Sequence, residues 1–235
     1  MIKKILFISL FFLFSAALYC QSDFKPYWNI GVGFGPTFSS VDFVESNSGP
    51  SSAVTTKMYS QMHGGLAVRY MTEKHLGFIV ELNYAQQGWE QEFKGSLADK
   101  GFAHSHSLNY FEMPFLTHIY WGNKFRFIIN LGPKISYMLS EKEEINQTLV
   151  DYLASGGASS DMVTAQYFRD ADRKFDYGIM GGLGMEYQSK YGNFSLEGRY
   201  YFGLGDVYKN SKADAFSRSS NQVISVRLTY YVKLF

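Results

Sequence analysis

From Trp28 onward the chain alternates. Trp28, Ile30, Val32 and Phe34 occupy one parity and Asn29, Gly31, Gly33 and Gly35 the other. The same period of two recurs in seven further stretches, among them "LGFIVELNYA", "NYFEMPFLTHIYW", "FDYGIMGGLGMEY" and "ISVRLTYYVKL". A period of two over about nine or more residues is a strand signal. The connections alternate as well. Those at Glu73–Lys74, Gly122–Lys124 and Ser189–Asn193 are short, whereas Val41–Lys57, Gly88–Ser105, Ser140–Lys174 and Gly205–Ser220 are long.

Strands of this length span a bilayer when tilted, and tight turns at one rim with long loops at the other describe an up-and-down membrane barrel. The reading is therefore all-β: an eight-stranded antiparallel up-and-down transmembrane β-barrel with long extracellular loops, one of them helical. Composition agrees, since aromatic residues make up 18% of the chain and there are 22 glycines. Trp28, Tyr84, Trp89, Trp121, Tyr187 and Tyr200 fall near strand ends, where interfacial girdles form. Parity alone leaves a rival, a soluble lipocalin-like carrier with its apolar face inside. The polar face is rich in glycine and isolated charges of both signs, which suits a narrow interior better than a solvated exterior. The formal net charge of +1 gives no basic excess for nucleic acid.

"MIKKILFISLFFLFSAALYC" has a positive start and a short apolar core, as a secretory signal does. Residues 1–20 are read as the signal peptide, cleaved near Cys20–Gln21 or after Ala17, and 21–235 as one barrel domain. Lipidation at Cys20 is the alternative, although the bulky Tyr19 precedes it. No other cysteine exists, so disulfides and thiolate chemistry are excluded. No later apolar run is long enough for a helical span, and the expected location is the outer membrane.

Charges on the small-residue face must be paired inside a narrow barrel. The candidate lumen network is Arg69, Glu81, Glu112, Arg126, Lys134, Glu186, Glu197, Arg199 and Arg227. Counting from the short turns sets Glu112 level with Lys134, Arg126 level with Glu186, and Arg69 and Glu81 on either side of one turn. Glu197 and Arg199 share a face, with Arg227 on the next strand. Pro114 also points inward, at a local break of the ladder. A plugged lumen is expected.

His104 and His106 would share one face of a strand, making them a weak candidate metal pair. With Ser105 and Ser107 they are also a weak candidate for a hydrolase. The glycine runs alternate within strands, so they are not phosphate-cradling loops, and no cofactor motif is present. In the third long loop Ser140 and Glu143 have capping-box spacing. Ile145, Leu149 and Leu153 follow at helical spacing, Gly156–Gly157 end the segment, and "DMVTAQYFRDA" suggests a second helix. Those three apolar residues are the candidate contact surface.

"NIGVGFGPTFS", "YFEMPFLTHIYW", "IINLGPKISYML", "FDYGIMGGLGMEY" and "RYYFGLGDVY" together resemble the PorT-like outer-membrane β-barrel family of the Bacteroidetes. The resemblance covers essentially the mature chain. It implies a small outer-membrane barrel, some relatives belonging to secretion machinery. In one departure, Lys233, Thr229 and Arg227 share the parity of the terminal Phe235, leaving Leu234, Val232 and Tyr230 to face lipid. The leading functional reading is a non-enzymatic structural or partner-binding barrel in contact with outer-membrane lipid and envelope proteins. Its competitors are a narrow porin-like channel, a lipid-modifying hydrolase and the soluble carrier. The sequence leaves partner identity and oligomeric state open.

Overall fold

The structure, a computed structural model, describes residues 24–45, 54–156, 163–209 and 216–234. The signal segment and its cleavage site lie outside these residues. Nine strands are present: β1 (Tyr27–Glu45), β2 (Thr56–Lys57), β3 (Tyr59–Glu73), β4 (Leu76–Gln91), β5 (His104–Gly122), β6 (Phe125–Ile145), β7 (Phe175–Ser189), β8 (Gly192–Asp206) and β9 (Phe216–Lys233). Among the described residues one α-helix, α1 (Gln147–Ala154), follows β6, and a 3-10 helix spans Gly95–Lys100. Eight strands were expected; the ninth, β2, is a two-residue rung against β4 inside the first long connection. The other strands pair antiparallel in the order β4-β3-β1-β9-β8-β7-β6-β5, and β5 pairs back onto β4, which closes the ring. Closure leaves none of these strands an unpaired edge.

The parity read from the sequence decides which face is out. Trp28, Phe34, Leu66 and Met185 are 41, 59, 55 and 69% exposed, whereas Asn29 and Arg69 are wholly buried. Side chains that water would drive inward thus cover the exterior, and charges fill the interior. This is the inverse of a soluble carrier barrel. Among the described residues no helix is long and apolar enough to cross a membrane.

The long strands run from 15 to 21 residues, about 50–70 Å along the chain, well beyond a tilted bilayer crossing. Their excess lies at the long-loop end. There the outward residues of β5 become Asn109, Ser107 and Ser105, and those of β6 become Ser140, Lys142 and Glu144, so the exterior turns polar while the ladder continues.

That continuation corrects the helical expectation. Ser140 to Ile145 pair with Asn109 to His104, so Ser140 and Glu143 form no capping box and Ile145 is a strand residue. Ladder hydrogen bonds to β5 satisfy these backbone groups, which a helix here would have to give up. α1 begins one residue later, capped by Asn146, whose side chain accepts from the Leu149 amide at 3.2 Å. The described part of "DMVTAQYFRDA", from Val163 on, forms turns rather than a second helix. In the shifted register Tyr110 faces Met138 and Asn109 faces Ser140, leaving Leu139 as a bulge.

Two Gly-Pro steps, Gly35–Pro36 and Gly132–Pro133, coincide with gaps in the ladder. Pairing of β1 with β9 stops at Phe34↔Leu228 and resumes at Thr37↔Ser225. A Cβ on Gly35 would lie 1.8 Å from the Val226 carbonyl oxygen, and one on Gly132 would lie 1.9 Å from that of Phe115. Gly35→Ala should cost about 1–3 kcal/mol through backbone displacement. Gly198→Ala, whose nearest new neighbour lies 4.0 Å away, should stay within about 0.5 kcal/mol. Urea unfolding in lipid vesicles measures both.

Candidate functional site: a charge-filled interior beneath an aromatic cap

Below the cap of the long-loop end, the buried interior formed by β3 to β9 carries five cations, Arg69, Arg126, Lys134, Arg199 and Arg227, and five carboxylates, Glu81, Glu112, Asp176, Glu186 and Glu197. Nearest the short turns, Arg69 of β3 reaches Glu186 of β7, and Arg126 donates to the same carboxylate at 3.4 Å. Arg69 also lies over the Tyr231 ring at 4.1 Å. In the middle layer, Arg199 of β8 grips Glu81 of β4 with two bonds of 2.8 Å and touches Glu197 at 2.8 Å. Arg227 stands 3.7 Å from Glu81, while Asn83 and Asn130 donate to Glu81 and Glu197. Above this, Lys134 meets Glu112, which also accepts from Gln87, and the ammonium sits 3.5 Å over the Tyr201 ring. Asn221 joins Asp176 to this layer.

The Arg69–Glu186 and Glu81–Arg199 pairs each join strands four places apart in the ring. Side chains therefore bridge the full bore. Bidentate guanidinium–carboxylate pairing suits such a buried site, because it satisfies several donors and acceptors at once.

All nine residues of the expected network line this interior, though not all with the expected partners. Glu112 and Lys134 meet, but diagonally, since Glu112 is level with Ser136 and Lys134 with Pro114. Arg126 and Glu186 are directly opposed. Arg69 and Glu81 do not pair, because each long side chain finds a partner across the bore. Asp176 was not foreseen, although its inward parity was the signal. Pro114 is buried, and β4–β5 pairing skips the Met113–Pro114 step opposite Glu81 and Leu82.

Towards the long loops the interior turns apolar. Val41, Phe43, Trp89, Leu108, Tyr208 and Phe216 pack together, with Phe43 edge-on to Trp89 at 5.2 Å and to Phe216 at 5.0 Å. His104 and His106 both point inward beside Trp89, while Ser105 and Ser107 take the opposite parity. His104 Nε2 lies 2.8 Å from Glu143 and His106 Nε2 3.0 Å from Glu141. The same carboxylates accept from the backbone amides of Phe168 and Ala171, at 3.2 and 2.8 Å, and the Tyr167 hydroxyl donates to Gln91. Two histidine–glutamate pairs thus strap residues 163–172 over the mouth. Among the described residues no group of three His, Cys, Asp or Glu is arranged to hold a metal. Of the expected contact surface, Leu149 is wholly buried, while Ile145 and Leu153 are half-buried on different elements, so the three do not form one exposed patch.

The strap should loosen in acid. Burial holds the His104 imidazole below its ordinary value, against the opposing pull of Glu143. The unfolded chain then takes up the proton more readily, near pH 6.5. The contribution of His104 is therefore complete above that pH and is lost as the pH falls through its lowered folded value. Asp172 is held below the usual carboxylate range by the Lys209 amide and Arg169, which adds a second loss at lower pH. Amide exchange of residues 163–172 should be slow and flat above pH 6.5, after correction for intrinsic rates, and protection should fall below it.

A closed antiparallel barrel with an apolar exterior, a buried charge network and one rim of short turns defines the class of outer-membrane barrels. The family model "Outer membrane protein beta-barrel domain" matches residues 20–209, and the chain belongs to that family; it is an outer-membrane protein. The crystal structure of the outer membrane protein OprG from Pseudomonas aeruginosa is similar in fold, with a TM-score of 0.52 at 15% identity, covering 88% of this chain and 96% of that one. The attachment invasion locus protein Ail of Yersinia pestis gives a TM-score of 0.40 at 10% identity, covering 88% and 99%. No curated protein matches the chain.

Proposed function

We propose that this chain is an eight-stranded, up-and-down outer-membrane barrel with a sealed lumen, acting as a structural or partner-binding component of the envelope rather than as a pore or an enzyme. In this reading the eight long strands cross the membrane and β2 is an accessory rung on a loop. The single observation that carries it is the interior: cross-bore ion pairs in stacked layers, equal numbers of cations and carboxylates below an aromatic cap, and a strap above the cap. A barrel of eight strands is just wide enough for side chains to fill it.

The polar end of the barrel beyond the lipid band, with α1 and the strap, offers the surface for a partner. The resemblance of the strands to PorT-like barrels favours an envelope complex, secretion machinery included, as the setting. A hydrolase reading is disfavoured because His104 and His106 face inward onto glutamates, while the neighbouring serines face the other way. Planar-bilayer recording tests the sealed lumen: the purified chain should give no sustained single-channel steps. Regular large steps would establish the narrow-channel alternative instead.

A further inference from the structure

The short-turn end of the barrel carries an unusual set of charges. Each short turn holds one lysine, Lys74, Lys124 and Lys190, while Lys25 precedes β1 and Lys233 ends β9. All five are exposed. Among the described residues the acidic side chains at this end are Glu73 and the buried Glu186, already held by Arg69 and Arg126. None of the five lysines makes an ion pair there. At the opposite end, Lys57, Lys94 and Lys142 pair with Glu90, Glu92 and Glu144 at 2.8, 3.1 and 2.6 Å. Lys100, Lys174 and Lys209 at that end make no ion pair among the described residues, so the rims differ in that the far one neutralises three of its lysines and the short-turn one none.

The depth of these lysines identifies what they face. Lys124 lies 5.5 Å from the Tyr187 ring centre, Lys190 4.9 Å from that of Tyr191 and Lys233 4.5 Å from that of Tyr27. Around them the outward surface is aromatic: Trp28 stacks on Tyr70, Phe125 packs on Tyr187 and Phe194 on Tyr230. Such a belt marks the headgroup level of a bilayer. Lysines rooted in it have their ammonium groups at the height of lipid phosphates, too close to the membrane for an acidic soluble protein to be their natural counter-charge. Between the β5–β6 and β7–β8 turns, a recess of about 810 Å³ is lined by Lys124, Arg126, Lys190, Tyr187 and Tyr191, large enough for a headgroup.

We propose that the short-turn rim is a binding collar for anionic phospholipid headgroups of the periplasmic leaflet, with the recess between Lys124 and Lys190 as its principal seat. The test uses the folded chain in phosphatidylcholine vesicles titrated with brominated phosphatidylglycerol or brominated phosphatidylcholine. Trp28 and Trp121 report from the belt, whereas Trp89 is buried in the cap at the far end. Quenching should favour the anionic lipid, and high salt should weaken that preference. In the variant K124E/K190E/K233E the relative affinity should drop by at least about fivefold for each lysine, the effect of removing one positive charge near the surface, since each reversal also adds a negative one. The variant K57E/K94E/K142E at the other rim should retain the preference. Heat-shifted gel mobility verifies that both variants fold. Should the first variant fail to fold, the salt dependence of the unaltered chain decides the matter. Equal quenching by the two lipids, a salt-independent preference, or a preference retained after reversal at the short-turn rim would each overturn the proposal.

Discussion

Glu81→Leu should destabilise the barrel by about 3–5 kcal/mol, the loss that follows when one partner of a buried ionic cluster is removed. Glu81 is wholly buried and holds Arg199 through two bonds, with Arg227 close by. Removing it leaves Arg199 with Glu197 as its remaining counter-charge and Arg227 without its nearest carboxylate. Replacing the whole cluster is a different experiment. With Glu81, Glu197, Arg199 and Arg227 all exchanged for apolar residues of matched volume, most of the lost stability should return, because the desolvation cost disappears together with the attraction. Urea unfolding in phospholipid vesicles, followed by tryptophan emission, separates the two outcomes. A single variant as stable as the parent would mean that water reaches the middle layer, and the sealed lumen would then be in doubt.

Trp89→Ala should cost about as much, about 3–5 kcal/mol for a fully buried indole, but at the other end of the molecule. Trp89 packs against Phe43, His104 and His106, so its loss empties the floor on which the strap rests. Protease sensitivity within residues 163–174 should rise sharply. The heat-shifted gel band should persist, because the layers below depend on ion pairs and on the closed ladder. Loss of the heat shift as well would show that cap and barrel fold as one unit.

The faces of the strands were legible in the sequence because lipid outside and a narrow bore inside impose opposite demands on alternate residues. Asn29 and Trp28 illustrate this within a single dipeptide. The strand ends were less legible. Beyond the lipid band the outward face no longer has to be apolar, so Ser105, Ser107 and Asn109 interrupt the alternation although their ladder to β6 resumes after a single bulge. Segment 140–145 was read as helix for the same reason. Within the interior, counting from a shared turn located partners on adjacent strands, such as Arg126 with Glu186. It could not locate Arg69 with Glu186 or Glu81 with Arg199, since partners on opposite walls share no turn. Asp176 had the right parity, but the residue level with it on β6 is Ser136, not a cation. Which lipid or protein the rims meet is not encoded in any periodic pattern.

Leu139 has a consequence out of proportion to its own contacts. As an unmatched residue in the β5–β6 ladder, it divides β6 into two segments that are out of phase. Before it, odd-numbered residues such as Phe127 and Tyr137 look outward; after it, odd-numbered Glu141 and Glu143 look inward. The strap over the mouth depends on that change of phase. Almost any side chain would serve at position 139, provided the residue stays out of the ladder. Were Leu139 instead paired with Asn109 in an unbroken ladder, every later residue of β6 would shift by one place: Glu141 and Glu143 would turn to the outside, and His106 and His104 would face Lys142 and Glu144.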